Sequence, residues 1–90
     1  MSDPDFDRTM CIAETARLLR QRAHRIVFDQ VEDGIEPTPA NLRDNLIIAV
    51  ATAQPRSSLV SWFLPDRVVE AIIEHVAVEI ATAVSGSKAA

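Results

Sequence analysis

The sequence predicts an all-α protein, a small bundle of about four helices (long, medium, short, long) completed by dimerisation. Its core must be aliphatic, since 48% of the chain is hydrophobic but only 4% is aromatic. Two glycines in 90 residues are too few for the tight turns of an all-β fold. Prolines separate segments in which apolar residues recur every three or four positions, as in amphipathic helices. We expect a single helical domain over residues 1–84 and a frayed C-terminal tail over residues 85–90.

The first predicted helix runs from about Asp7 to Val31. Aspartates crowd its start, where carboxylates complement the helix dipole. The helix is expected to end at Asp33-Gly34, with Gly34 in the left-handed conformation that closes many helices. Large and small apolar residues alternate along a narrow seam that suits packing against another helix: Ile12, Ala16, Leu19, Ala23 and Ile26.

The second predicted helix runs from Pro39 to about Ala53. Thr38 is the expected N-cap and Pro39 the first helical residue, a strong start signal. Apolar residues lie on most sides of this helix, with Leu42, Leu46, Ala49, Val50 and Ala53 on one face and Ile47, Ile48 and Ala51 spread over the rest. The sequence therefore predicts a central, buried helix.

Two further segments follow Pro55. Ser57 or Ser58 can cap a short turn that carries Leu59, Val60, Trp62, Phe63 and Leu64. The last helix is predicted from Asp66 to about Val84 and should stop at Ser85-Gly86-Ser87. Its apolar residues fill one arc of the helical wheel: Val68, Val69, Ile72, Ile73, Val76, Ile80, Ala83 and Val84.

The apolar residues of the second and fourth predicted helices exceed what a compact monomer of this size buries easily. The second helix needs cover on nearly all sides, and three neighbouring segments barely provide it. Pairing of apolar faces across a two-fold axis would remove the surplus from water. The sequence therefore predicts a homodimer.

Catalysis is not expected from these residues. Cys11 and His24 are thirteen residues apart, about 20 Å along one helix, and so cannot form a nucleophile–base pair within a chain. His75 can pair with Glu74 or Glu79, but an ion pair on a helix surface is not a site without further converging ligands. We predict that the protein is not an enzyme, with no catalytic residues, no metal and no cofactor.

Charge and cysteine content bear on partners and compartment. The net charge of −4 gives no general attraction to nucleic acid or to an anionic membrane. The longest apolar run, Leu46 to Ala51, is far shorter than a membrane span. The single cysteine, Cys11, excludes an internal disulfide and is expected to be a small buried hydrophobe. The expected compartment is the reducing cytoplasm, and no membrane partner is expected.

Two features are candidate interaction sites. The first helix carries a basic face formed by Arg17, Arg20, His24 and Arg25, whereas Arg22 points elsewhere. In the first interpretation this face binds phosphate or an acidic partner. In the second it is a solvated surface whose arginines pair with nearby carboxylates such as Glu14. The second candidate is Trp62-Phe63-Leu64, together with Ile47. The three bulky residues either cover the aliphatic core or form an exposed anchor for a partner.

The sequence favours a small, non-catalytic helical module that binds another macromolecule as an adaptor, an assembly factor or an inhibitor, with a regulatory role. The alternative is a nucleic-acid-binding regulator that uses the basic face of the first helix. An unidentified protein partner is favoured over nucleic acid.

Overall fold

The computed structural model describes the backbone of residues 4–61 and 64–89 and the side chains of residues 8–61 and 64–86. Within these residues the chain is all-helical, with three α-helices, one 3₁₀ turn and no strand. The helices are α1 (Pro4–Glu32), α2 (Pro39–Thr52) and α3 (Asp66–Ala89). Each of the three packs against the other two, and the short loop after α1 turns α2 antiparallel to it. The predicted bundle of four helices is not confirmed.

Helix α1 ends at a glycine, as predicted. Gly34 has a φ of 75°, its N–H donates to the Val31 carbonyl, and the Ile35 N–H donates to the Gln30 carbonyl. These two bonds form a Schellman motif, which satisfies carbonyls that the last helical turn leaves free. The buried positions of α1 include Leu19 and Ala23 of the predicted seam and, beside it, Thr15, Val27 and Gln30. Ile12, Ala16 and Ile26 of the seam are half-buried and pack against this core.

Helix α2 begins as the sequence predicts but is buried on one face only. The Thr38 side chain accepts a hydrogen bond of 3.1 Å from the Asn41 N–H, and Pro39 occupies the first turn. The buried residues are Leu42, Leu46 and Val50. Ile47 and Ile48 remain 44% and 60% exposed. The prediction of a central helix buried on nearly all sides is wrong for the single chain, because α1 and α3 both lie on the same side of α2.

The short third predicted helix is replaced by an irregular segment between α2 and α3, which we call the segment 53–65 and which is described over residues 53–61 and 64–65. It contains a 3₁₀ turn, Arg56–Ser58, and it places Leu59, Val60 and Leu64 in the core, where they are 5%, 0% and 6% exposed. Backbone bonds within the turn satisfy several of its polar groups, among them Leu59 N–H to the Arg56 carbonyl. The Ser61 N–H instead donates to the buried Thr15 hydroxyl of α1, at 3.1 Å. This bond fastens the segment to the first helix.

Helix α3 supplies the largest share of the core. Val69, Ile72, Ile73, Val76 and Ile80 are buried as predicted, Val68 and Val84 are half-buried, and Ala83 is exposed. The helix continues to Ala89, beyond the predicted end at Val84 and into the predicted tail. Gly86 does not adopt a positive φ and so does not cap the helix, and one glycine costs a helix only about 1 kcal/mol. None of the helices in the described part of the chain is long and apolar enough to cross a bilayer.

The Thr15–Ser61 bond gives the first testable prediction. Thr15 is fully buried, so the isosteric change Thr15→Val keeps the packing volume but leaves the Ser61 N–H without its acceptor. We expect a loss of about 1–2 kcal/mol in the free energy of unfolding, measured by urea denaturation. Hydrogen exchange of the Ser61 amide should accelerate at the same time. Thr82→Val is the matched control, because Thr82 is exposed. Unchanged exchange at Ser61 in Thr15→Val would show that this bond does not hold the segment.

Candidate interaction surface

The outer side of α2 is the first candidate surface. Ile47, Ile48 and Ala51 are all exposed there, and we call these three residues the α2 outer face. Ile48 lies opposite the buried side of the helix, while Ile47 and Ala51 lie between Ile48 and α3. Exposed isoleucines at adjacent positions form a patch rather than the scattered single residues that monomeric surfaces normally carry.

A groove of about 420 Å³ between α2 and α3 adjoins the α2 outer face. Ile47 and Ala51 line it from α2, and Ile73 and Glu70 line it from α3. An ion pair between Arg56 and Asp66, with nitrogen and oxygen 3.0 Å apart, lies at one end of the groove. The groove therefore has mostly apolar walls, with the carboxylate of Glu70 on the α3 side and an ion pair at one end.

Other large apolar side chains are also exposed. Phe28 and Val31, three residues apart on α1, are 64% and 48% exposed, and Ile35 follows in the loop at 47%. Met10 near the start of α1 and Val78 on α3 are 55% and 48% exposed. Phe28 and Met10 flank the predicted basic face, so that face combines apolar and cationic groups.

The residues of the predicted basic face have different neighbours in the structure. Arg17 makes a bidentate ion pair with Glu14 one turn earlier, with Nε to Oε2 at 3.0 Å and Nη2 to Oε1 at 2.6 Å. The hydrogen bonds from Arg17 lower the pKa of Glu14, and the carboxylate in turn raises the pKa of Arg17. This is the pairing that the solvated-surface interpretation predicts for Arg17.

Arg20 connects two helices. Its Nε donates to Glu79 Oε2 of α3 at 2.7 Å. His75 Nε2 lies 3.9 Å from the other oxygen of Glu79, and His24 also faces this carboxylate closely enough to act on it electrostatically. The Arg20 hydrogen bond, above all, lowers the pKa of Glu79, and the charges of Arg20, His75 and His24 add to this effect. Glu79 is thus the centre of a small cationic cluster between α1 and α3.

Arg25 has a different environment. It shares a small cavity with Arg22, which is half-buried, and with Ser58 of the 3₁₀ turn. Neither arginine forms an ion pair with any described residue. Of the four residues of the predicted basic face, Arg17 and Arg20 are therefore neutralised by carboxylates, whereas Arg25 is accompanied by a second free arginine.

Leu64 and Cys11, two of the remaining candidates, lie in or beside the core. Leu64 is 6% exposed and packs with the core cluster, as the interpretation of this segment as a cover for the core predicts. Trp62 and Phe63 lie outside the described residues. Cys11 is half-buried against the core. No group of three or more histidine, cysteine or acidic side chains that could hold a metal ion occurs in the described part of the chain.

Sequence reasoning missed Arg22 as a site residue. The helical wheel places Arg22 away from Arg17 and Arg20. Arg25, three residues further on, lies on the same side of α1 as Arg22 and Leu18, and this spacing is the signal that could have found it. That side acquires its second wall only when residues 53–65 fold back onto α1.

Comparison of the chain with protein-family models, with curated proteins and with solved structures found no match.

The Arg20–Glu79 pair gives the second testable prediction. Arg20→Gln should raise the pKa of Glu79 toward its ordinary value of 4.5, as followed by carboxyl chemical shifts in an NMR titration. Because the pKa of Glu79 is lower in the folded state, the pair stabilises the fold above about pH 4.5. That contribution is lost as the pH falls through the lowered pKa. The stability difference between the wild type and the variant should therefore vanish in acid.

Arg17→Gln is the matched control for this titration. It removes the same charge from α1 and should raise the pKa of Glu14 while leaving that of Glu79 in place. A Glu79 pKa that is the same in Arg20→Gln as in the wild type would contradict the contact between α1 and α3.

Proposed function

We propose that this protein is a small helical interaction module that works as a homodimer by binding another protein, in the reducing cytoplasm, without catalytic chemistry of its own. The observation that carries the proposal is the exposed, aliphatic α2 outer face, where Ile47 and Ile48 are 44% and 60% accessible. Water contact at two adjacent isoleucines is unfavourable, and association would remove it.

The total surface supports a second copy as the occupant of this face. The chain exposes 6112 Å², whereas a folded monomer of 9.9 kDa exposes about 5200 Å². The excess of roughly 900 Å² is close to the ~800 Å² that each partner buries in a stable interface of standard size. One self-association event would thus bring the accessible surface of each chain to the value typical of its mass.

The chemistry of the α2 outer face also suits a two-fold contact. In a symmetric dimer the same patch lies on both sides of the interface, so the patch must be compatible with itself. Ile47, Ile48 and Ala51 are uncharged and can pack against their own copies. At one end of the adjoining groove Arg56 and Asp66 are already paired with each other within one chain. Glu70 also lines this groove, on the α3 side and outside the α2 outer face.

The proposed dimer binds a further protein, and through that binding it acts as an adaptor, an assembly factor or an inhibitor with a regulatory role. The support is a second apolar surface on another helix, Phe28 and Val31 of α1, which dimerisation through α2 does not require. Aromatic residues contribute strongly to interface energies. Nucleic acid ranks below a protein partner, because Glu14 and Glu79 neutralise Arg17 and Arg20 of the basic face.

The third testable prediction concerns dimerisation. Ile47→Asp would place an unpaired carboxylate in an apolar interface, so we expect the dimer dissociation constant to rise by at least about a hundredfold, measured by sedimentation equilibrium. Ile48→Asp should act in the same direction. Circular dichroism should show nearly unchanged helicity, because both side chains are exposed in the single chain.

Val78→Asp is the matched control. Val78 is a β-branched residue on α3 that is 48% exposed, close to the value for Ile47. We expect its dimer to remain as stable as that of the wild type. A wild-type protein that sediments as a monomer at every accessible concentration would refute the dimer, and equal losses in Val78→Asp and Ile47→Asp would refute the α2 outer face as its contact.

A further inference from the structure

We propose that the cavity between α1 and the Arg56–Ser58 turn is a binding site for a terminal phosphate group, held by Arg22 and Arg25. The inference is independent of dimerisation and of the α2 outer face. It rests on the shape of the cavity, on the kinds of side chain that line it, and on the lack of carboxylate partners for its two arginines within the described residues.

The cavity has a volume of about 230 Å³ and two walls. One wall is a side of helix α1. The opposite wall is the 3₁₀ turn that follows α2, and it includes Ser58. The lining residues are Leu18, Gln21, Arg22, Arg25, Ser58 and Leu59. The two leucines form an apolar floor, and Leu59 is only 5% exposed because it belongs to the core. Among the residues whose side chains the structure describes, none that lines this cavity is acidic.

The two arginines differ from the others on α1. Arg17 and Arg20 each hydrogen-bond a carboxylate, at 2.6 Å and 2.7 Å. The side chains of Arg22 and Arg25 make no hydrogen bond to any residue in the part of the chain that the structure describes, and the same holds for the side chains of Gln21 and Ser58. Their donors are consequently available to an external acceptor.

Two guanidinium groups that line one cavity without a carboxylate between them repel each other in the absence of an anion. Arg22 is half-buried and Arg25 is exposed. Elsewhere on α1, Glu14 and Glu79 compensate the charges of Arg17 and Arg20. A bound anion would supply the missing compensation, and charge-assisted bonds from two guanidinium groups are the usual means of holding one.

The chemistry of the lining favours phosphate. The donors come from two elements and differ in kind: two guanidinium groups on α1, an amide from Gln21 and a hydroxyl from Ser58. A tetrahedral phosphate offers more acceptor oxygens, in more directions, than a planar carboxylate does. The volume is below the ~300 Å³ at which pockets for whole organic ligands begin, so the cavity suits one phosphate group with part of the molecule that carries it.

We take a terminal phosphate, rather than a phosphate within a polynucleotide, as the ligand. A phosphate monoester carries about 1.5–2 negative charges at neutral pH, whereas an internal phosphodiester carries one. The greater charge suits a site with two guanidinium groups that have no carboxylate partner among the described residues.

The fourth testable prediction is saturable binding of inorganic phosphate. Titration of the full chain at low salt, followed by amide and arginine Nε–H NMR signals, should shift Ser58, Arg22 and Arg25 together with one dissociation constant. A phosphate monoester such as phenyl phosphate should shift the same signals, which shows whether the group can be carried by a larger molecule. Added sodium chloride should weaken binding, because part of the attraction is screened.

Substitutions separate the site from general charge effects. Arg25→Gln should weaken phosphate binding about tenfold, since it removes charge-assisted hydrogen bonds from an exposed side chain without disturbing the core. Arg22→Gln should weaken it at least as much. The control Arg17→Gln removes the same charge from the same helix and should leave the dissociation constant within about twofold, because Arg17 is held by Glu14.

Three outcomes would overturn the proposal. The first is the absence of saturable shifts with phosphate or phenyl phosphate in the millimolar range. The second is an equal loss in Arg17→Gln and Arg25→Gln, which would show a diffuse charge effect. The third is tighter binding of a short oligonucleotide without a terminal phosphate than of phenyl phosphate, which would identify a nucleic-acid surface. None of these results depends on whether the protein dimerises.

Discussion

The mismatch in helix length governs this structure. Helix α2 has 14 residues, about 21 Å, whereas α1 and α3 have 29 and 24 residues, about 44 Å and 36 Å. Helix α2 therefore covers only part of the apolar side of its neighbours. The irregular segment 53–65 fills the remaining space by inserting Leu59, Val60 and Leu64. A non-helical segment tolerates burial only when its backbone groups find partners, and the hydroxyl of Thr15 provides one of them.

The arrangement of the helices explains the exposed aliphatic surface. Two helices that pack on one side of a third helix cannot surround it. The side of α2 that faces away from α1 and α3 thus carries Ile47 and Ile48 in contact with water. The sequence alone suggested too much apolar surface for a single chain, and the structure shows where that surface lies. A second copy suits it because a two-fold contact can bury this face on both chains at once.

Sequence predicted the local features of the fold and missed those that depend on tertiary contacts. Proline positions and apolar periodicity gave the three α-helices, and Thr38 and Gly34 gave the start of α2 and the end of α1. Burial of Thr15 and Gln30 could not be inferred, since a polar residue enters a core only when a particular neighbour lies opposite. The Gln30 Oε1 atom is buried without a hydrogen bond from the described residues. The ion pair of Arg17 with Glu14 could be read from its spacing, but that of Arg20 with Glu79 joins residues 59 positions apart.

The segment 53–65 connects the core with the proposed phosphate site. Leu59 is at once a core residue and part of the cavity floor, and Ser58 precedes it in the opposite wall. The cavity therefore exists only while the segment is docked on α1, a state that the Thr15–Ser61 bond favours. A ligand that binds only while the segment is docked on α1 must stabilise the docked state. The gain in free energy rises with the logarithm of the ligand concentration once this concentration exceeds the dissociation constant. Phosphate binding and attachment of this segment are for that reason thermodynamically linked, although no described hydrogen bond joins Arg22 or Arg25 to Thr15 or Ser61.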